Sequence, residues 1–586
     1  MVTWPAAGNL SDGALGSPNA DGIKHVWTLW WMRQELLHGD PGLITRLVNW
    51  PVGMDLWPIE PLNGLFALLI PLDPVPLSNV LAILHVTLLG LAAGWLGHLV
   101  SRRWQGALVA GALAQACAFT SFILEVGVGE LRQFWLLPLG LALAVQAHTT
   151  RRIGWFLLLG LEMGLATTAC FYHGFFLAMS VTTYVLCTLP KGWRLLPHWI
   201  LAAVLAATAL IPARTFARSY APHDGPDQMT FSDWMAATRV TRLETYQDAA
   251  ASPEQLVTRQ AAQTVPVSGQ VRAYTGGRYL GLVTLLLVGL GIAAAPRKAL
   301  PWVLIAVPPL ILSFGTVLWH NGAIVDVGGG RLVLPLAWLN RVLSYFVEPM
   351  NFPARFLAIP MISFAVIGSL APRWRWTPLL VPLAVLDLLS GDLVAWPRAR
   401  FRLPDVTGIQ AATGTGAIAN LTPFVRGGPP PTGRIGDSIF SRKNPEDRAR
   451  AIAVQLALGS PMESLPIDRM EFWAPEGELF LQGLPLTRSL NGPPTEAEMR
   501  ESLFLLRDLG YDRILTTHKP ENQAEASIIA LFAPWMGAPI RGGSASIWTV
   551  PTIEVSPAQA DAWRAAQAER VKGLPRPTAG AQYPTP

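Results

Sequence analysis

The sequence predicts a polytopic α-helical membrane protein of about ten crossings, followed by a small carboxy-terminal extracytoplasmic domain of α/β or α+β type. Three observations carry that prediction. The chain has 586 residues, of which 51% are apolar and only 14% charged, whereas soluble chains average about 25% charged. Apolar runs long enough to cross a bilayer are separated by short basic turns at Arg102-Arg103, Arg151-Arg152, Lys191 with Arg194, Arg297-Lys298 and Arg373 with Arg375. From about residue 400 the composition becomes that of a globular domain.

Residues 1–75 form an outward segment in which 23–38 reads as an amphipathic helix suited to the membrane interface, with Trp27, Trp30 and Trp31 as anchors. The proline-rich stretch 49–63 reads as a rigid irregular loop. A membrane bundle over 76–395 follows, with crossings at 76–99, 105–123, 131–149, 153–168, 170–189, 197–213, 278–295, 299–317, 353–371 and 376–391. Cationic residues in short loops stay cytoplasmic. All five basic turns then fall on the inner side, and loops at 123–130, 214–276 and 318–352 face outward. In 318–352 a glycine turn precedes a short membrane-dipping or interfacial helix. The same count puts the amino terminus outside, reached either by tail-first translocation or after a spanning helix upstream of this start.

An extracytoplasmic domain over 396–555 has expected strands at 416–424, 512–517 and 545–553 and helices at 444–457, 495–509 and 521–533. Glycine-rich linkers are expected at 427–433 and 541–546, and a helix with a disordered tail over 556–586. The 23 tryptophans suit a membrane protein, with Trp50, Trp57, Trp104, Trp135, Trp193, Trp374 and Trp376 near membrane ends. The net charge of +5 sits in the inward turns, so it marks orientation and not nucleic-acid binding. Cys117, Cys170 and Cys187 all lie in apolar segments, which supports neither a disulfide scaffold nor a thiolate metal site. No phosphate loop, dinucleotide fingerprint, HExxH or GxSxG is present, so cytosolic ATP or NAD chemistry is not expected.

The outward acids and histidines are the candidate site. Asp21 precedes the first helix with His25 four residues on. The pair either holds a divalent cation or abstracts a proton from an acceptor hydroxyl, or Asp21 only caps the helix. Glu60 with Asp55, and Glu130 with Glu125, are two further acidic groups. Glu130 is either functional or paired with Arg132. Glu162, inside an apolar run, either pairs across the bundle or lines a cavity. His173 follows an aromatic pair in FYHG, which forms either a sugar or isoprenoid wall or plain packing. Among the outward arginines Arg331, Arg341 and Arg355, the last is best placed to grip a phosphate, against the alternative of reaching lipid headgroups.

These pieces together resemble the polytopic membrane glycosyltransferases of the GT-C superfamily, in particular the bacterial members with a carboxy-terminal soluble domain. NADGIKHVWTLWW, PVGMDLWPIEPLN, GELRQFWLLPL, FYHG, NFPARF and LRDLGYDRILTTH carry the resemblance. It implies inverting transfer of a sugar from a polyprenyl phosphate to a glycan, lipid or protein acceptor, at the outer face of the bacterial inner (plasma) membrane. Asp21 would act as general base or orient the acceptor, Glu130 would assist or bind metal (Mg or Mn), and Arg355 would neutralise the leaving lipid phosphate. His25, Glu60, His173 and Arg331 would complete the substrate site. Two other readings stay open: a transporter or lipid-handling protein, and a non-catalytic envelope assembly protein.

Overall fold

The structure is a computed structural model that describes residues 3–4, 6–16, 22–37, 44–45, 47–48, 50–51, 54–55, 60–208, 250–258, 277–320, 323–328, 330–343, 352–372, 377–391, 400–421, 445–462, 476–488, 494–517 and 523–573. Two compact units result. One is built mainly from residues 1–29 and 59–401, the other from 30–58 with 402–582.

The first unit is helical. Its elements begin with residues 22–29 of α1 (Gly22–Leu37), then α2 (Pro61–Leu69), α3 (Pro74–Ser101), α4 (Trp104–Ala116), α5 (Ala118–Val126) and α6 (Gly129–Arg132). A 3-10 turn at Gln133–Trp135 leads into α7 (Leu136–Thr150), α8 (Ile153–Ala169), α9 (Phe171–Gly192) and α10 (Leu196–Thr208). Later helices run over Leu282–Ala294, Pro296–Leu312, Ala358–Gly368 and Thr377–Gly391.

Three helices among the described residues are long and apolar enough to cross a membrane: Pro74–Ser101, Trp104–Val126 and Phe171–Leu189. The other apolar helices, such as Ile153–Ala169 and Leu282–Ala294, are shorter. Large apolar side chains cover the outside of these helices, including Leu91, Leu108, Leu161, Leu186, Val204 and Leu286. Water would solvate that surface poorly, and the fold is compatible with a helical membrane protein.

Short turns join the helices where the arginines stand. Arg102 and Arg151 both adopt left-handed backbone (φ 59° each) and close their helices by donating N–H to His98 and Ala147 carbonyls. The neighbouring Arg103 donates to the carbonyls of Ser369 and Ala371, both at 3.1 Å, so the 102–103 and 369–371 turns adjoin. Gly192 lies against His148, which brings the 148–152 and 192–194 turns together. Trp104 and Trp193 stand exposed beside these turns. The apolar interior reaches from Leu89 and Leu96 of α3 through Phe119, Phe134 and Phe176 to Phe356 and Ile362.

In the second unit, strands Ile540–Gly542, Ala545–Thr549, Tyr511–Thr517 and Ala417–Asn420 lie in that order. Only the last pairing is parallel. Successive strand residues point to opposite faces, and here both faces are covered. Ile514 packs with Leu503, Phe532 and Trp548, while Leu515 packs with Ile418, Val454 and Ile547. The helix Glu496–Asp508 opens with a capping box between Thr495 and Glu498. The helix Pro557–Lys572 docks on it through Arg564 and Asp508.

Several expectations need correction. The predicted interfacial helix exists as α1, but Trp27 is 0%, Trp31 3% and Trp30 9% exposed, so its tryptophans are interior residues and not lipid anchors. Residues 30–58 do not stay with the rest of 1–75 but join the carboxy-terminal unit, where Trp50 donates to the Leu509 carbonyl at 2.8 Å and Leu47 pairs with Met462. The expected linker 541–546 is a β-hairpin, turned by Gly543 at φ 51°. The glycine turn near 328 is present as expected, joining the paired residues Asp326–Val327 and Gly330–Arg331, and the expected short helix follows at Pro335–Leu343 with Trp338 exposed. The linker 427–433, most of loop 214–276 and the tail beyond 573 lie outside the described residues.

Candidate functional site

The site is assembled where α1, the start of α2 and α6 meet inside the first unit. Pro61 begins α2, as proline does at a first helical position. The preceding Glu60 makes no side-chain cap. Its carboxylate turns instead to Nδ1 of His25 on α1 and to the amide nitrogen of Asn63. A Cβ on Gly129 would overlap the Glu60 carboxylate, so glycine at this position lets the acid lie against the main chain of α6. The next residue, Glu130, brings Oε2 to 3.3 Å from Nε2 of His25. His25, Glu60 and Glu130 each offer a ligand atom, and the three atoms lie within 4.8 Å of one another.

Behind the acids runs a polar chain in an apolar setting. Nε2 of His85 on α3 lies 2.8 Å from Oδ1 of Asn63, and Trp135 donates its indole N–H to Nδ1 of His85 at 3.0 Å. The two rings stack with an interplanar angle of 16°. Arg132, also buried, donates to the Ser78 hydroxyl at 3.0 Å and the Leu15 carbonyl at 2.9 Å. Burial pushes the Glu60 carboxyl up. Attraction to the His25 ring when it carries a second proton, the hydrogen bonds from His25 and Asn63, and the Arg132 guanidinium outweigh it and hold the carboxyl below its ordinary range.

A second group adjoins this one. α8 ends at Ala169, a single extended residue (Cys170, φ −160°) intervenes, and α9 starts at Phe171. His173 in the first turn of α9 is fully buried, stacks on Phe134 and sits beside the Glu130 and Leu131 main chain. Arg355 is 8% exposed and lies between the rings of Tyr172 (4.6 Å) and Phe352 (4.3 Å). It reaches both His173 and Cys170 electrostatically, and Glu130 also reaches Cys170.

The structure therefore brings together five of the residues picked from the sequence: His25, Glu60, Glu130, His173 and Arg355. Asp21 lies outside the described residues. Arg331 is seen only as main chain, paired with Asp326, and the side chains of Arg341 and Asp55 are not described. Glu130 faces His25, while Arg132 is spent on Ser78 and Leu15, so the simple Glu130–Arg132 pair is not what forms. Arg355 is packed between aromatic rings and does not reach outward to lipid headgroups. Glu162 is buried against Gly140, and neither carboxyl oxygen has a hydrogen-bond partner among the described residues.

Sequence reasoning missed Asn63, His85 and Trp135. A signal existed for His85, a polar ring inside the apolar run 76–99, on the same logic that singled out Glu162. No protein-family model matches the chain, and no curated protein matches it. What the site can do is set by its own groups: two carboxylates and an imidazole that can hold a proton or a cation, and a buried guanidinium in a partly aromatic setting that can receive an anion.

Proposed function

We propose that the chain is a membrane glycosyltransferase of GT-C-like architecture with about ten crossings, moving a sugar from a polyprenyl phosphate to an extracytoplasmic acceptor with inversion. The observation that carries this reading is an acid–imidazole cluster in the same unit as buried Arg355, which lies over Tyr172, the neighbour of buried His173. An acceptor hydroxyl needs a base, and a departing lipid phosphate needs a fixed positive charge. Both are present in one unit.

Sidedness supports the reading. Ser78, bonded to Arg132, and Ser101, beside Arg102, lie near opposite ends of α3. Helix rise makes that separation about 35 Å, comparable to the hydrocarbon thickness of a bilayer. With the basic turns in the cytoplasm, the cluster faces the periplasm or exterior, and the carboxy-terminal unit is assigned to the same side.

In the proposed reaction the acceptor oxygen attacks the anomeric carbon from the face opposite the phosphate. The bond from that carbon to the phosphate oxygen breaks, and polyprenyl phosphate leaves with the electron pair. The acceptor proton passes to a carboxylate, Asp21 as base with Glu130 assisting. Arg355, with Arg331 as a second candidate, neutralises the phosphate; Tyr172 and His173 wall the sugar, and His25 and Glu60 fix Glu130. Phosphate is an adequate leaving group, so catalysis reduces to positioning, proton removal and charge neutralisation.

Release of polyprenyl phosphate from a panel of polyprenyl-phosphate sugars, by the full chain in detergent, tests this. Arg355→Ala is expected to lower turnover by about a hundredfold or more. Turnover equal to wild type in both Arg355→Ala and Glu130→Gln would remove the reading. A transport function is the second reading, favoured by buried Glu162, whose carboxyl oxygens have no hydrogen-bond partner among the described residues. Donor-independent solute uptake into proteoliposomes, lost in Glu162→Gln, would select it.

A further inference from the structure

The polarity of one hydrogen-bond chain determines what His25 offers to the site. An indole nitrogen can only donate. Trp135 gives its N–H to Nδ1 of His85, so His85 carries its own proton on Nε2 and donates it to Oδ1 of Asn63. The amide nitrogen of Asn63 is then the group that donates to Oε2 of Glu60. The second Glu60 oxygen accepts from Nδ1 of His25. Each step follows from the one before it, and the chain ends with a proton on Nδ1 of His25 and, in the neutral ring, a lone pair on Nε2.

That lone pair is buried. His25 is 1% exposed, and its Nε2 has no hydrogen-bond partner among the described residues. Facing it at 3.3 Å is Oε2 of Glu130, which also lacks a hydrogen-bond partner among the described residues. Two buried groups set face to face in this way need a positive charge between them, which either a second proton on the ring or a bound cation supplies. Two donor atoms each about 2.1 Å from one ion lie about 3.0 Å apart in octahedral and about 3.4 Å apart in tetrahedral coordination. The observed spacing falls within that interval. A histidine ligand whose other ring nitrogen donates to a carboxylate is the usual way a protein orients an imidazole toward a metal.

We propose that Nε2 of His25 and the Glu130 carboxylate are ligands of one divalent first-row cation, with Glu60 orienting His25 and Asn63, His85 and Trp135 holding Glu60 in that role. Mixed imidazole and carboxylate donors suit Mn²⁺ better than Mg²⁺, which prefers oxygen. The inference concerns the same site as the proposed transfer but does not rest on it, because bound metal is counted without donor or acceptor.

The full chain in detergent, stripped with chelator and titrated with MnCl₂ alone, provides the test. Bound Mn²⁺ is followed by electron paramagnetic resonance, and nitrogen coupling in the pulsed spectrum reports the imidazole. Wild type is expected to bind one Mn²⁺ with one coupled nitrogen. His25→Ala should abolish the coupling, and Glu130→Gln should weaken binding at least tenfold. Glu60→Gln should weaken binding about 10- to 100-fold while the coupling persists. Trp135→Phe keeps an aromatic ring, removes only the donor and should weaken binding in the same direction, which keeps the test alive if a cluster variant does not fold. Monodisperse, helical wild type that takes up no stoichiometric Mn²⁺ overturns the proposal, as does a coupled nitrogen that survives His25→Ala. Mn²⁺ binding without any sugar transfer would leave this site standing and remove the transferase.

Discussion

Arg132 donates to the main-chain carbonyl of Leu15 at 2.9 Å, joining residues 117 positions apart in the chain. Its other nitrogen holds Ser78 on α3, so one guanidinium ties the amino-terminal strand residue, α3 and α6 together. Leu15 in turn pairs with Arg400 across a two-residue antiparallel ladder. The floor of the candidate site is thus made from segments that are remote in sequence.

Removing that tie has a defined cost. Arg132→Gln leaves the Leu15 carbonyl and the Ser78 hydroxyl without a charged donor, for which about 2–3 kcal/mol is expected. The check is chemical unfolding in detergent combined with hydrogen exchange at residues 14–15, where exchange should accelerate. Unchanged stability and exchange would show that the tie contributes nothing.

Gly129→Ala introduces a methyl group into the Glu60 carboxylate, which His25 and Asn63 hold in place. Either the acid or α6 must move. Overpacking of this kind costs about 1–3 kcal/mol, and the melting temperature should fall accordingly. Gly129→Ala with wild-type melting would mean that the Glu60 carboxylate does not lie against this backbone.

Orientation in the membrane can be read by labelling. In a chain whose Cys117, Cys170 and Cys187 are replaced by alanine, Arg152→Cys is expected to resist a membrane-impermeant maleimide in intact cells. Asp12→Cys, in the segment bonded to Arg400, is expected to react. The reverse pattern would turn the protein over and put the acid cluster in the cytoplasm.

In the second unit Arg564 donates to Asp508 at 2.7 and 2.8 Å. These hydrogen bonds, opposed by partial burial and helped by the arginine's charge, hold the Asp508 carboxyl below its ordinary range. A depressed carboxyl contributes stability that is complete above its unfolded pKa of about 3.9 and is lost as pH falls through the folded value. Protection of the helix Pro557–Lys572, corrected for intrinsic exchange, should therefore hold at pH 5 and decline below pH about 3.9. Asp508→Asn should flatten that decline.

Much of the helical pattern was legible because an apolar run and a basic turn are local signals. The polar site residues were legible as candidates for the same reason: Glu60, Glu130, His173 and Arg355 each interrupt or border an apolar segment. Their assembly was not legible. Contacts between His25 and Glu60, or between Asn63 and His85, depend on how separate helices pack, and one sequence holds no record of that. Trp135 shows the ambiguity well, since an indole at a helix end reads equally as a headgroup anchor and as the donor to His85. The packing of residues 30–58 on the carboxy-terminal unit was not legible because the partners of Leu47 and Trp50, Met462 and Leu509, lie more than 400 positions away. The 541–546 hairpin read as a linker because a glycine pair serves both.

The most direct test of the account is a structure of the full chain bound to polyprenyl phosphate. The lipid phosphate is expected within about 3 Å of the Arg355 guanidinium, with Glu130 and His173 lining the same chamber. A headgroup bound elsewhere, with Arg355 still enclosed by Tyr172 and Phe352, would contradict it.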